Sequence, residues 1–176
     1  MKHNLLREGY AHNLRIFALT VYSSPGIEQA CLSLQEDHCA PIPFLLFCLW
    51  AAPLEDTTLR TLYDLTCQWE REVIKPLRQV RRSLKKELPV LDVSIRESLR
   101  TKIKTAELEA EFLLLDDLAA HSRGPAGSAS EAQRKTLLGF IPQLSENNLQ
   151  LCQVIQAATL FWHNKLPHLG DNLGSF

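Results

Sequence analysis

Two consecutive stretches of this chain place apolar residues three and four apart, and that spacing constrains the fold more than any other feature. In the first, Val73, Leu77, Val80 and Leu84 follow at intervals of 4, 3 and 4; in the second, Leu99, Ile103, Ala106, Ala110 and Leu113 follow at 4, 3, 4 and 3. A repeat averaging 3.5 residues is the seam of a coiled coil. Leu88-Pro89 closes the first stretch. The pair therefore predicts an antiparallel helical hairpin over 57–121 with its two seams facing each other. The two alanines mark where the helices approach closely. Pro76 falls inside the first stretch; it removes one backbone hydrogen bond and clashes one turn back, so a kink or break is expected near Glu72.

The remaining segments are helical as well, and none shows sustained strand alternation. A first helix is expected over Asn13 to Tyr22, with Leu14, Phe17, Ala18 and Val21 on one face. Ser24 before Pro25 reads as an N-cap followed by proline at the first helical position. That second helix reaches about Asp37 and buries Ile27, Ala30, Cys31 and Leu34. After the stiff connector Cys39-Ala40-Pro41-Ile42-Pro43, the apolar run from Ile42 to Ala52 forms a short helix ended by Pro53, and Asp56 or Thr57 caps the next. The second arm of the hairpin spans about Asp92 to His121. The expected fold is all-α, a single bundle of six or seven helices built on the hairpin. It divides into a core over 1–121, a flexible Gly/Ser loop over 122–130, C-terminal helices over 131–164 packed on the core, and a tail over 165–176.

Length and composition narrow the class. The 176 residues, 45% of them hydrophobic, suffice for one domain with a proper core and exclude a disordered polyelectrolyte. The N-terminal MKHNLLREGYAH lacks the apolar centre of a secretory signal. The apolar run of eleven residues, Ile42 to Ala52, rises only about 16 Å as a helix, half a bilayer, so no membrane association is expected. Cys31, Cys39, Cys48, Cys67 and Cys152 are odd in number and scattered, which points to reduced thiols and a cytoplasmic protein.

Several blocks taken together carry a resemblance. They are Phe17-Ala18-Leu19-Thr20-Val21-Tyr22, Pro25-Gly26, Ala30-Cys31-Leu32 and Leu45-Leu46-Phe47-Cys48-Leu49-Trp50. Further on come Trp69-Glu70-Arg71-Glu72-Val73-Ile74-Lys75-Pro76-Leu77-Arg78, Val80-Arg81-Arg82-Ser83-Leu84-Lys85 and Lys104-Thr105-Ala106-Glu107-Leu108-Glu109-Ala110-Glu111. Over roughly residues 13 to 118 the chain resembles a proteobacterial family catalogued as domain of unknown function 2390. The resemblance implies a short, all-helical, cytosolic bacterial protein and supplies no activity, cofactor or catalytic residue.

Motifs of chemistry are sparse. There is no C-x-x-C, H-E-x-x-H or paired E-x-x-H, and the nearest cluster, Cys31 with His38 and Cys39, lacks the two close ligand pairs of a structural zinc site. Asp117 and His121 share a helix face without further ligands. No metal and no cofactor is expected. There is no G-x-S-x-G and no glycine-rich phosphate loop. Cys31 and Cys48 sit on apolar faces where burial suppresses thiolate formation. Glu107 and Glu111 stack at i, i+4 and are expected to pair with basic neighbours. Trp50 and Trp69 read as core anchors, whereas Trp162 fits either a plug at the end of the bundle or an exposed docking residue.

Charge is the one feature above background. Between Arg78 and Lys104 lie nine basic residues, Arg78, Arg81, Arg82, Lys85, Lys86, Arg96, Arg100, Lys102 and Lys104, against Glu87, Asp92 and Glu97, a net +6 in a chain whose total is −1. With a turn near Pro89-Val90, residue i stands opposite 179 − i. Arg71 and Lys75 then meet Glu107 and Glu109, while Arg78, Arg82 and Lys85 meet Arg100, Lys102 and Arg96. Like charges are thus expected at the hairpin tip, relieved by an acidic partner. A solvated helix face explains the same run. The functional expectation is a non-enzymatic protein–protein interaction or adaptor module, open to homo-oligomer formation, with Arg78, Arg81, Arg82, Lys85, Lys86, Arg96, Arg100 and Lys102 as its docking surface. The alternative is an RNA- or ribosome-associated factor using the same tip; a small-molecule enzyme comes third.

Overall fold

A computed structural model describes the backbone of residues 2–85, 92–128, 131–141, 144–145 and 147–169. Its helices are α1 (Lys2–Tyr22), α2 (Ile27–His38), α3 (Ile42–Trp50), α4 (Asp56–Trp69), α5 (Lys75–Ser83), α6 (Val93–Ala120), α7 (Glu131–Phe140) and α8 (Leu149–Leu169). A π-helical turn, Glu70–Ile74, joins α4 to α5, so the two form one rod and the fold is an all-α bundle of seven rods. The hairpin arms are this rod and α6; Lys86 and the turn around Pro89 lie outside the described residues.

The bundle is organised on α3. All nine of its residues are buried, which an all-apolar helix requires. α1, α2, α4, α6, α7 and α8 all pack against it. Around it Phe44 meets Tyr63 edge-on at 5.2 Å and Phe140 at 5.7 Å. On the other side Phe17 of α1 stacks on Trp162 at 5.6 Å and meets Phe161 edge-on at 5.0 Å. Trp162 is therefore a plug, 5% exposed, and Trp50 is an anchor, 1% exposed. Trp69 is half-buried and donates its indole N–H to the Ala110 carbonyl at 3.0 Å, pinning the two hairpin arms together.

Several local expectations are corrected. α1 begins at Lys2, eleven residues before the expected start. Ser24 does not cap α2: its hydroxyl bonds back to the Thr20 carbonyl, and Gly26 takes the N-cap position at φ +79°, a left-handed conformation that suits glycine. α4 starts after Glu55, without a side-chain cap. Asp92 does cap α6, its carboxylate accepting from the Ser94 and Ile95 N–H groups. α8 starts at Leu149 and continues to Leu169, past the expected end at Trp162. At 122–126, where the sequence suggests a loose loop, Ala52 N–H donates to the Gly124 carbonyl and Ala126 N–H to the Trp50 carbonyl, both at 2.8 Å. Gly124, at φ +97°, lies against the Tyr10 ring, where a Cβ would come within 3.0 Å.

Pro76 does not break the rod. The Glu72 carbonyl loses its regular donor at Pro76, and the chain responds with a π turn in which Lys75 N–H reaches back to the Glu70 carbonyl. The wider turn also keeps residues spaced four apart on one face, where a regular helix drifts by about 40° per step. Thr66, Glu70 and Ile74 are all buried as a result. The facing seam is only partly the expected one: Leu84 and Ala110 are buried, but other members are not. Val80 is 46% exposed, Leu99 45% and Leu113 59%, while Val73, Leu77, Ile103 and Ala106 are half-buried. The inner line of α6 is Ile103, Glu107, Ala110, Leu114 and Leu118: it keeps Ile103 and Ala110 of the apolar pattern and takes Glu107 and Leu114 in place of Ala106 and Leu113.

Phe17 is fully buried between two helices. Phe17→Ala is expected to lower stability by about 3–5 kcal/mol in urea denaturation, the usual cost of an aromatic deletion that cannot collapse.

Candidate functional site

Where the hairpin arms face each other, charged residues take the place of apolar ones. Arg78 donates from Nε to Glu107 at 2.9 Å and from Nη2 to Glu111 at 3.3 Å. Arg81 grips the same Glu107 from Nε at 2.5 Å and from Nη2 at 3.3 Å. The side chains of Glu107 and Arg78 are only 9% and 11% exposed, so this is a buried pair and Arg81, at 26%, its outer member. Burial alone raises the Glu107 pKa, but the Arg81 and Arg78 hydrogen bonds outweigh it and hold the carboxyl below its ordinary value.

Two further carboxylates stand beside the pair. Glu70, at the π turn, is 4% exposed, and no described donor reaches either carboxyl oxygen; burial raises its pKa despite Arg78 and Lys75 nearby. Glu111 keeps a third of its side chain open, yet burial in the cleft pushes it up to about 7, against the attraction of Arg78. The cluster borders a cleft of about 440 Å³ between α1, α2, α3, α5 and α6. Leu19, Ile42, Leu46 and Phe112 contribute apolar lining, with Tyr22 and Cys31 among the rest. Burial pushes the Cys31 thiol and the Tyr22 phenol each up to about 12, so both are protonated at neutral pH.

The basic residues read from the sequence divide into distinct environments. Arg78 and Arg81 belong to the buried cluster, so the expected meeting of Arg78 with like charge at the tip is replaced by pairing with Glu107 and Glu111. Opposition at 179 − i is met by Trp69 and Ala110, but beyond the π turn the long arginine side chains reach back to acids on α6. The expected pairing of Arg71 with Glu107 is absent too; Arg71 bonds its neighbour Glu72 on the surface. Arg82 bonds Glu36 of α2 at 2.5 Å, and Arg100 bonds Glu97 at 3.0 Å. Arg96 is partly buried, and Lys85 and Lys102 are exposed. Sequence reasoning anticipated that Glu107 and Glu111 pair with bases, but missed Glu70 and Tyr22. The Pro76 position, six residues beyond Glu70, was the available signal for the π turn that carries Glu70 inward.

Other candidate groups are placed apart from this cluster. His38 faces Asn148, its Nε2 3.0 Å from the amide nitrogen, while Cys31 is buried and Cys39 exposed. Among the described residues no group of three or more His, Cys, Asp or Glu is arranged to hold a metal, and no helix is long and apolar enough to cross a membrane.

The fold and its polar hairpin layer define a class: an all-α bundle built on a long antiparallel hairpin. The chain belongs to the family described as "Protein of unknown function (DUF2390)", whose model matches residues 14–118. The match ends near the close of α6 and therefore contains the hairpin and the cleft. No curated protein and no solved structure matches the chain.

Two variants test the layer. Glu107→Gln strands Arg78 and Arg81 in a largely dry site and is expected to cost about 3 kcal/mol in chemical denaturation. Glu111→Gln tests titration. Between its ordinary 4.5 and about 7 the folded chain holds a proton that the unfolded chain releases, so this group lowers stability as pH rises through that window. The variant is expected to flatten the fall of melting temperature between pH 5 and 7.

Proposed function

We propose that this chain is a non-enzymatic interaction module whose hairpin end docks an acidic protein surface. The observation that carries the reading is the composition of that end. Val80 and Val93 are 46% and 62% exposed, at the same end of the hairpin as the exposed Arg82 and Lys85. Exposed apolar groups within a cationic rim are the makeup of a protein-recognition surface rather than of a solvated helix end. The hairpin end is supported by α5 and α6 against each other, while the main core lies around α3. A partner can thus cover it without disturbing the core. Arg82 and Lys85 supply salt-sensitive attraction, and the valines supply the contact that survives salt. Arg78 and Arg81 hold the arms together instead of touching the partner.

The test is affinity capture from the native host at low salt, comparing wild type with Arg82→Glu/Lys85→Glu. One or a few acidic proteins lost with the variant, and lost from wild type as salt is raised, are the expected result. Recovery of RNA in their place, seen as a raised 260/280 nm ratio, replaces this reading with an RNA-associated one. Equal recovery by both chains removes the hairpin end from function.

A further inference from the structure

The heptad pattern of α6 is only partly used inside the chain. Ile95 is 65% exposed, Leu99 45% and Leu113 59%; Ala106 is half-buried; Lys102 and Glu109 are exposed. Ile95, Leu99, Lys102, Ala106, Glu109 and Leu113 follow at intervals of 4, 3, 4, 3 and 4. At 100° per residue they fall within an arc of about 80°. They form one continuous outer stripe, on the side of α6 turned away from Glu107, Leu114 and Leu118. Such a stripe is a coiled-coil seam that lacks its second helix.

From this stripe we infer that a second copy of the chain covers it, the two α6 helices packing antiparallel about a two-fold axis at Ala106. Ala106 stands at the middle of α6, whose bounds are Val93–Ala120. Leu99 and Leu113 lie seven residues to either side of it, so the two-fold sets Leu99 of one copy against Leu113 of the other. The alanines meet at the centre, where their small side chains let the helix axes come close. Lys102 and Glu109 lie on the same edge of the stripe, four residues before Ala106 and three after. In the antiparallel arrangement Lys102 of each copy faces Glu109 of the other, giving two ion pairs.

Charge selects this occupant. The stripe is bipolar: its exposed charges are Lys102 before Ala106 and Glu109 after it. A uniformly acidic or basic helix is repelled at one end. A parallel copy sets Lys102 against Lys102 and Glu109 against Glu109. The required partner is a helix with the same apolar spacing and the reverse polarity, which α6 turned end for end supplies. A two-fold contact of this kind is self-complementary and closes at two copies. The inference concerns the outer face of α6, distinct from the hairpin end, and it stands whether or not that end docks another protein.

Sedimentation velocity across a micromolar concentration series tests it. Wild type is expected to be a dimer, and Leu113→Glu a monomer with unchanged helical circular dichroism, since Leu113 is exposed within one copy. Lys102→Glu is expected to weaken the dimer, and Lys102→Glu/Glu109→Lys to restore it. In a Cys39→Ser background, Ala106→Cys is expected to cross-link to itself on mild oxidation. A mixture of Leu99→Cys and Leu113→Cys chains is expected to cross-link with each other and not with themselves. A wild-type chain monomeric throughout the series overturns the proposal. So does a dimer indifferent to Leu113→Glu, or Leu99→Cys chains that cross-link with themselves.

Discussion

A helix with no polar face cannot sit at a surface, and α3 is such a helix. Every residue from Ile42 to Trp50 is buried, so the chain has to surround this segment on all sides. That one requirement explains why α1, α2, α4, α6, α7 and α8 share a neighbour although they are far apart in sequence. It also explains the clamp at its C-terminal end. The Trp50 carbonyl accepts from Ala126, the buried Ala51 carbonyl accepts from the Gln133 side chain at 3.0 Å, and Ala52 donates to Gly124. Polar backbone at the end of a buried helix has to be paired, and the connector after α6 performs that pairing.

Away from α3 the hairpin arms have less apolar surface to share, and a different interaction sets their register. One carboxylate, Glu107, receives two guanidiniums that stand three residues apart on α5. Buried ion pairs add little net stability over apolar packing, because the charges lose their hydration. What they add here is geometry. Any slip of α6 along α5 leaves Arg78 unpaired in a site where it is only 11% exposed, and that state is costly. A seam of leucines and valines alone tolerates such slips far better. Arg15 on α1, bonded to Asp116 from Nε at 2.6 Å, fixes the other flank of α6 in the same manner.

Much of the fold was legible because it depends on periodicity and on breakers. α3, both hairpin arms and the start of the second arm near Asp92 all follow from spacing and prolines. The face on which each arm meets the other was not legible. Apolar spacing assigns Leu99 and Leu113 to the inside, and charge assigns Glu107 and Arg78 to the outside; both assignments are reversed. The reason is that hydropathy ranks side chains one at a time, whereas Glu107 enters the interior only as part of a set with Arg78 and Arg81. The π turn adds to the reversal. It shifts the face of the rod between Trp69 and Arg78, so the inner residues before and after it cannot be joined by one constant period. Pro76 was the visible trace of that turn, but proline alone does not distinguish a kink from a π insertion.

The reversal leaves α6 with apolar residues on two faces where a surface helix ordinarily has them on one. Its inner line carries Glu107 to hold α5, and its outer line carries Leu99, Ala106 and Leu113 with Lys102 and Glu109 along one edge. The same sequence feature, basic residues before Ala106 and acidic ones after it, acts on both. Inside, it places a carboxylate within reach of the α5 arginines. Outside, it leaves a stripe whose charge complements its own reversed copy. A helix required only to pack within one chain has no use for apolar residues on both lines, and solvent ordinarily selects polar residues on the outer one. Retaining leucine at 99 and 113, at the same distance from a central alanine, makes physical sense when both faces are covered.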